Sequence, residues 1–364
     1  MTTLQDARRV LIFITGRGLG GDAKIAFNTY KALTERGIHC EIALDKNAPG
    51  YLFKKNNIPW HKISIPQAGG HAATKLTTIK AAFKTLHAGF IAARCIRKAK
   101  ADVAVGVIGG GAVIAALGAK LSRTPSVSLV STPLDTKVCS KISDPIILPE
   151  SPLFRDEAVS SHVKAFLPTN SHIVEGDRQK ALQKIEEHCE NNPQYRKFDP
   201  EKQTIMFSSG STLFEKTAQA VELFASKHSD EFNIVVIGSL LDEEYEKYLD
   251  DEKVIYVGYI DWVADLYALS DLAVLTDDGL MLQEAMLCNI PIVILKRVKY
   301  NRYHNMEAIF KGATKECDLE DLDDAVFEIL NNLESYSGKT DIYKEAIANS
   351  SSQICDIVES HFKD

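Results

Sequence analysis

A short apolar run followed at once by a glycine-rich turn constrains the fold more than any other feature. Residues 10–14 read VLIFI and residues 16–21 read GRGLGG. A continuous apolar run of this length predicts a parallel strand buried on both faces. A helical pattern spans residues 24–36, and a second apolar run, residues 38–44, follows directly. This order predicts a strand–helix–strand unit and therefore a parallel sheet covered by helices.

The alternation of strands and helices restarts in the second half of the chain. The apolar runs of this half are residues 204–207, 233–237, 254–257, 272–275 and 291–295. A chain of 364 residues is long enough for two cores. We therefore predict an α/β protein with two Rossmann-like, doubly wound parallel-sheet domains facing a cleft. The predicted domains are residues 1–166 and residues 167–344.

Composition excludes several classes of protein. The chain is 45% hydrophobic and 25% charged, which is typical of globular domains rather than disordered ones. Its longest apolar runs are far shorter than the roughly 20 residues of a membrane-spanning helix, and the N-terminus lacks a signal-peptide core. Seven scattered cysteines predict free thiols in a reducing compartment. We expect a cytoplasmic protein without a metal site.

Charge is distributed unevenly along the chain. Residues 1–164 hold 23 Lys and Arg against 11 Asp and Glu, whereas the remainder holds 19 against 38. The excess suggests an anionic partner for the first half, such as nucleic acid, an anionic membrane surface or a phosphorylated substrate. The alternative is solubility combined with attraction between the two domains. Basic residues are densest between Leu76 and Lys100, where apolar residues recur at helical spacing. Such a helix packs on a sheet or lies on a membrane surface.

The first glycine turn allows three interpretations. Gly16, Gly18 and Gly21 fit G-x-G-x-x-G, and Asp45 lies near the position of a ribose-binding acid, so a nicotinamide or flavin site is one interpretation. A tight turn without a ligand is the second. Binding of phosphate by backbone N–H groups at the helix start is the third. Asp22 opens the helix as either an N-cap residue or a general base.

Three later segments also carry candidate chemistry. A glycine run from Gly109 to Gly111 follows a predicted strand and serves either close packing or an anionic acceptor. Residues 208–211, SSGS, are predicted to begin a helix that offers hydroxyls and amides to a phosphate. Glu284 lies on a helix among apolar residues. It therefore either reaches the surface or binds a ribose diol, since an unpaired buried carboxylate is costly.

Together these segments resemble the MurG-like glycosyltransferases of the GT-B fold, including the Alg13/Alg14-like proteins. Residues 18–21 resemble the first glycine loop of that family, and residues 101–110 its second glycine segment. The family histidine after the first loop is replaced by Asp22. The family arginine near the diphosphate aligns with His172. Aspartates in the turn at 276–279 would lie near the diphosphate and require a cation, for which Arg302 is the candidate.

The resemblance implies an inverting transfer of a sugar, usually N-acetylglucosamine, from a UDP-sugar to a hydroxyl of an anionic, lipid-linked cell-envelope or glycan precursor. Asp22 would be the catalytic base, no metal or cofactor would be required, and no nucleic acid would bind. The region from Leu76 to Lys100 would contact the inner face of the cell membrane. The resemblance implies donor-binding roles for Ser208, Gly210, Ser211, Ile260, Gly279, Leu280, Glu284, Arg302 and Asn305. It implies acceptor-binding roles for Gly18, Gly20, Gly21, Gly109, Gly110 and Gly111. It also implies that a C-terminal helix at 345–364 returns to the first domain.

Three other functions fit the same architecture. A UDP-N-acetylglucosamine 2-epimerase-like enzyme would isomerise a sugar without an acceptor. A non-catalytic nucleotide-sugar-binding subunit would explain the missing histidine. A nicotinamide-dependent enzyme would bind NADH and not UDP.

Overall fold

A computed structural model describes residues 8–15, 20–66, 75–151, 163–299 and 305–362, with the backbone alone for residues 75–82, 133 and 134. The chain divides into two compact units. The first unit comprises Met1–Thr169 and Asn349–Asp364, and the second comprises Asn170–Ala348. The predicted boundaries differ slightly, with the domain boundary after residue 166 and the return to the first domain at residue 345.

The described residues form two sheets in which every strand pair is parallel. The strands of the first unit are β1 (Arg9–Ile14), β2 (His39–Asp45), β3 (Trp60–Ile63), β4 (Val103–Val107), β5 (Ser126–Leu129), β6 (Asp144–Ile147) and β7 (Val163–Lys164). The strands of the second unit are β8 (Thr204–Leu213), β9 (Asn233–Leu240), β10 (Ile255–Gly258), β11 (Leu272–Thr276), β12 (Ile292–Leu295) and β13 (Thr314–Cys317).

Helices cover these sheets. In chain order they are α1 (Gly21–Glu35), α2 (Tyr51–Lys55), α3 (Lys75–Ala99), α4 (Gly110–Ser122), α5 (Pro133–Cys139), α6 (Arg178–Asn191), α7 (Glu215–His228), α8 (Val263–Leu269), α9 (Leu280–Leu287), α10 (Met306–Ile309), α11 (Leu322–Leu330), α12 (Leu333–Ala348) and α13 (Ser350–Glu359). Short 3-10 turns occur at Ser171–Glu175, Glu243–Tyr248 and Leu319–Asp321.

Both sheets are doubly wound, as the sequence predicts. The strand order is β3-β2-β1-β4-β5-β6-β7 in the first unit and β10-β9-β8-β11-β12-β13 in the second. In each sheet the first strand in sequence is central, and the winding direction reverses between it and the fourth strand of that unit. Ligands of open α/β sheets bind at the carboxyl ends of the strands at such a reversal. The reversal between β8 and β11 therefore marks the expected site of the second unit.

The central strands owe their position to their apolar sequences. In β1, Ile12 lies between Ile42 of β2 and Val105 of β4, and all three side chains are buried. In the second unit, Phe207 of β8 packs in a core with Phe224 of α7. A strand that is apolar on both faces is stable only between two layers of helices. The continuous apolar runs were therefore sufficient to predict these strands.

Small residues of α4 allow helices and strands to approach closely in the first unit. A Cβ on Gly118 would lie 2.6 Å from the Cβ of Ala92 in α3, and a Cβ on Gly106 would lie 2.6 Å from the Cα of Ala112. Since real Cβ contacts are longer, these glycines are required by packing.

The C-terminal segment differs from the single helix expected for residues 345–364. Helix α12 ends at Ala348 in the second unit, and α13 begins at Ser350 in the first. Arg36 at the end of α1 anchors α13: its guanidinium lies 2.5 Å from Asp356 Oδ1 and 2.7 Å from Glu359 Oε1. Within the described residues, no helix is both long and apolar enough to cross a membrane.

Candidate functional site

In the second unit, the C-terminal part of β8 lies next to the start of α9 at the reversal of the sheet. Ser208 of β8 and Met281 of α9 are in contact, with the serine Oγ 3.4 Å from the methionine Sδ. Helix α9 begins directly after the β11 loop, and its N-cap residue Gly279 has a φ of 111°. The donor-binding residues predicted on β8 and on α9 are thus brought together.

The prediction that the SSGS segment begins a helix is wrong. Residues 208–211 belong to β8, which continues to Leu213 with a register shift against β9, and α7 starts only at Glu215. The hydroxyls explain the difference, because they bond to nearby backbone rather than capping a helix. Ser209 Oγ donates to Thr212 O and accepts from Phe214 N, each at 2.9 Å. The N-terminus of α7 therefore does not start at the serines.

Within this segment, Ser208 and Gly210 build a bend rather than an exposed hydroxyl site. Ser208 is buried, and its Oγ accepts a hydrogen bond from Gly210 N at 3.0 Å. Gly210 has a φ of 104°, a conformation that favours glycine. Ser211 is partly exposed. Among the three predicted donor contacts on this strand, Ser211 alone presents a partly exposed side chain.

Glu284 lies on α9 at 3% exposure, so the interpretation of a surface carboxylate is wrong. Tyr267 of α8 donates a hydrogen bond from Oη to Glu284 Oε2 at 3.2 Å. Burial, and then the charge of Glu284, raise the pKa of Tyr267 well above its usual value. The phenol therefore remains protonated and keeps donating. Leu280, one turn earlier on α9, is buried.

The acidic turn after β11 is paired with a lysine that the sequence analysis did not single out. Lys299 Nζ lies 2.8 Å from Asp278 Oδ1. Its neighbour Asp277 is buried. Arg302, the cation proposed from the resemblance, lies outside the described residues.

Lys299 also faces the bend of β8. Its Nζ lies 3.8 Å from the position that a Cβ on Gly210 would occupy, and 5.7 Å from the ring centroid of Phe214. The lysine side chain is 17% exposed. The bend of β8 and the loops after β11 and β12 therefore meet around one ammonium group.

The remaining predicted donor residues lie on neighbouring loops. Ile260 is partly buried between β10 and α8. Asn305 is the N-cap of α10, and its Oδ1 accepts a hydrogen bond from Ala308 N at 2.9 Å. His172 is exposed on the surface of the second unit. Its Nδ1 lies 2.7 Å from Glu175 Oε1.

In the first unit, Asp22 lies in the first turn of α1 rather than at its N-cap. The N-cap is Gly20, with a φ of 117°. Asp22 Oδ1 accepts a hydrogen bond from Ala23 N at 2.9 Å. Burial raises the pKa of Asp22 to about 6, which is the largest effect on this carboxyl. Gly21 is the first helical residue, and Gly18 lies outside the described residues.

The glycine run after β4 is explained in large part by contacts within the first unit. Gly109 N donates to Asp135 Oδ2 at 2.7 Å, so this N–H is already bonded. A Cβ on Gly110 would lie 2.7 Å from Pro66 O, and a Cβ on Gly111 would lie 2.9 Å from Phe13 O. Close packing, one of the two interpretations left open, accounts for these contacts.

Asp135 is a buried carboxylate that connects two loops and was missed by the sequence analysis. It accepts hydrogen bonds from the N–H groups of Gly109, Thr132 and Thr136 at 2.7 to 2.8 Å, and forms the capping box of α5 with Thr132. Asp45 has a comparable role, since it accepts from Asn47 N and Ile65 N. A ribose would have to displace these contacts.

No group of three or more potential metal ligands occurs in the ranges that the structure describes. The second unit therefore brings together strand-end loops, the buried Glu284 and Lys299. The first unit, taken by itself, places Asp22 in the first turn of α1. Two doubly wound sheets with such loops define the class of nucleotide-binding α/β proteins.

Family models place the chain more closely. Residues 12–128 match the glycosyltransferase family 28 N-terminal domain, and residues 172–340 match the glycosyl transferases group 1. The chain belongs to the glycosyltransferases, with a family 28 N-terminal domain followed by a group 1 domain. Comparison with curated proteins gave no match.

Solved structures share the fold at low sequence identity. MurG of Acinetobacter baumannii is 18% identical, with 97% of this chain and 99% of that chain covered and a TM-score of 0.64. Anabaena Alr3699/HepE in complex with UDP and glucose is 13% identical, with coverage of 97% and 100% and a TM-score of 0.64. A putative UDP-N-acetylglucosamine 2-epimerase of Listeria monocytogenes is 13% identical, with coverage of 98% and 98% and a TM-score of 0.63. The predicted GT-B fold and the MurG-like resemblance are confirmed.

Proposed function

We propose that this glycosyltransferase moves a sugar, N-acetylglucosamine first among those to test, from a UDP-sugar to a hydroxyl of an anionic, lipid-linked acceptor. The observation that carries the donor half is the buried Glu284, held by Tyr267 at the reversal of the second sheet. A buried carboxylate is costly unless it is paired, and a ribose 2′,3′-diol offers two donors to it. Anabaena Alr3699/HepE, which is similar in fold, was solved in complex with UDP and glucose, and this supports a UDP-sugar as the donor.

The donor-binding residues would each contact a different part of the nucleotide. Glu284 would accept from the ribose hydroxyls, and the backbone of Ile260 would meet the uracil. Ser211, Gly210 and the N-terminus of α9 at Gly279 would surround the diphosphate, since helix N-termini favour anions. Ser208 and Leu280 would support these loops from beneath. Arg302 and Asn305 remain proposed contacts of the diphosphate and sugar.

Asp22 would act as the general base on the acceptor side. A carboxyl with a pKa of about 6 is mostly ionised at neutral pH and is a stronger base than an ordinary aspartate. The acceptor oxygen would form the new bond to the anomeric carbon while the bond from that carbon to the diphosphate oxygen breaks. The hydroxyl proton would pass to Asp22, and UDP would leave with the bonding electrons. A single displacement of this kind inverts the anomeric centre.

Glycine residues of the first unit would lie along the acceptor. Gly20 and Gly21 begin α1 and would leave backbone room beside Asp22, with Gly18 as a proposed neighbour. Gly110 and Gly111 begin α4 at the carboxyl end of the adjacent strand β4. Gly109 would contribute space rather than its N–H, because that group is bonded to Asp135.

Membrane contact would be made by α3. Phe83 and Phe90 are 70% and 58% exposed, and Leu86 is also exposed. These residues have the spacing of one helical face, and Lys84 and Arg94 are exposed on the same helix. Exposed aromatic and basic residues on one helix suit an anionic lipid surface at the cytoplasmic side of a membrane. Leu76, Ile79 and Lys80, at the start of α3, belong to the residues that the structure describes by backbone alone.

Calorimetric titration with UDP, UDP-N-acetylglucosamine and NADH tests the donor half. We expect the UDP compounds to bind and NADH not to bind. Glu284→Ala should weaken UDP by about 1.5–3 kcal/mol, or roughly tenfold to a hundredfold, through loss of the diol contact. Binding of NADH alone, or unchanged UDP affinity in the variant, would contradict the proposal.

A further inference from the structure

We propose that Lys299 is a diphosphate-binding residue of the donor site, holding phosphate oxygens of a nucleoside diphosphate in the space above Gly210. This proposal rests on the proposed function, because it assigns a residue to the same site. The loop that carries Lys299 follows β12 and shows no phosphate-binding motif in the sequence. Only the strand order places it beside the loops of β8 and β11.

The ammonium group of Lys299 has more N–H donors than its ion pair with Asp278 uses. A lysine ammonium has three N–H donors. Asp278 Oδ1, at 2.8 Å, takes one of them. The ring face of Phe214 contributes an apolar, cation-favouring wall at 5.7 Å without using a donor. Within the described part of the chain, two N–H groups of Lys299 are therefore left to serve a ligand.

Open space lies in front of these N–H donors, at Gly210. A Cβ on Gly210 would lie 3.8 Å from Lys299 Nζ, and Gly210 has none. Any residue other than glycine would be strained at this position, because the φ of Gly210 is 104°. A phosphate oxygen could therefore approach the ammonium over the backbone of β8, at the point where the winding of the sheet reverses.

The charges of the neighbouring carboxylates also bear on how a diphosphate would bind. Asp277 and Asp278 precede Gly279, whose α9 N-terminus is the other anion-favouring element of the site. Two carboxylates beside a diphosphate would oppose its binding. Lys299 offsets the charge of Asp278 at a distance of 2.8 Å, and both side chains are largely buried. A charge pair in such a place is screened less than one at the surface. Removing Lys299 would thus remove two donors and uncover a repulsive carboxylate.

The test compares ligands with and without phosphates in Lys299→Met. UDP affinity is measured by calorimetry and uridine affinity by ligand-observed NMR. We expect UDP to bind about tenfold to a hundredfold more weakly than to the unaltered chain. Uridine affinity should change by less than about twofold. Lys299→Gln, which keeps the polar character of the site, should weaken UDP in the same direction, and provides a second variant if the first does not fold.

Lys296→Met is the matched control. Lys296 lies three residues earlier in the same loop, and its Nζ is 2.7 Å from Asp318 Oδ2 instead of Asp278. It removes the same charge, so we expect UDP affinity to stay within about threefold of that of the unaltered chain.

Three results would overturn the proposal: unchanged UDP affinity in both Lys299 variants, an equal loss of uridine, or an equal loss of UDP in the control. Failure of the proposed function is distinguishable, because then the unaltered chain itself does not bind UDP.

Discussion

Tyr267 Oη donates a hydrogen bond to Glu284 Oε2 at 3.2 Å, and both side chains are buried. The pair joins α8 to α9 beneath the loop at which the second sheet reverses. Since the phenol is a donor and an ionised carboxylate is only an acceptor, the hydrogen bond orients Glu284 before any ligand arrives. A carboxylate that is already oriented loses less side-chain entropy when it binds a diol.

We therefore expect Tyr267→Phe to weaken UDP binding about threefold to tenfold, the value of one lost hydrogen bond to a charged group after partial rearrangement. Binding of 2′,3′-dideoxy-UDP should change much less, because that ligand does not use the oriented carboxylate. Calorimetry with both ligands measures the difference. An equal loss for both ligands would assign Tyr267 a purely structural role.

Asp22 should impose a pH dependence on stability that can be measured without knowing the acceptor. Its folded pKa of about 6 lies above the ordinary aspartate value of 3.8, so the folded state favours the protonated form. The stabilising contribution is present below about pH 4 and is lost as pH rises towards 6. The loss amounts to at most about 3 kcal/mol.

Asp22→Asn does not titrate and is the matched reference for that measurement. Denaturant unfolding at several pH values should show the variant gaining stability over the unaltered chain from pH 4 to pH 7. A difference that is constant across this range would contradict the raised pKa.

Asp135 should contribute strongly to the stability of the first unit. Asp135→Asn replaces an oxygen acceptor by an amide donor facing N–H groups, so we expect a loss of about 2–4 kcal/mol in the free energy of unfolding. Denaturant midpoints measure it. Asp144→Asn is the control, since Asp144 is 66% exposed in its pair with His361 and should cost less than about 1 kcal/mol. Equal effects of the two substitutions would contradict the role of Asp135.

Membrane contact through α3 predicts that a Phe83→Ser, Phe90→Ser double variant partitions at least tenfold less onto vesicles containing phosphatidylglycerol, because it removes two exposed apolar side chains. Vesicle sedimentation measures the partitioning. Ile342→Ser is the control, because Ile342 is 70% exposed on α12 of the second unit. Equal partitioning of all three proteins would show that α3 does not contact the lipid.

Much of the fold was predictable because its central strands are long and continuously apolar. The short strands β3, β6, β7 and β13 were not predicted; they have two to four residues and sequences such as WHKI and TKEC that lack an apolar run. Ser209 was misinterpreted as part of a helix start because serine is a common N-cap residue. Here its hydroxyl bonds to the backbone of its own bend instead.

The part of the candidate site at Glu284 was predictable, because a carboxylate among apolar residues stands out in the sequence. Residues that join the site only through tertiary contacts were not predictable. Lys299 resembles any loop lysine in sequence, and only the parallel pairing of β11 with β12 brings its loop beside Asp278. Tyr267 resembles any buried aromatic residue. Both depend on contacts between segments that are distant in the chain.

The most direct test of the central claim is the fate of radiolabelled UDP-N-acetylglucosamine incubated with a membrane lipid extract rich in pyrophosphate-linked lipids. The account predicts that the label moves to the lipid phase with release of UDP. It also predicts that Asp22→Asn lowers this transfer by about 10²–10⁴-fold while UDP binding persists. An isomerised sugar in the aqueous phase, or unchanged UDP-N-acetylglucosamine despite UDP binding, would contradict it in favour of an epimerase-like enzyme or a binding subunit.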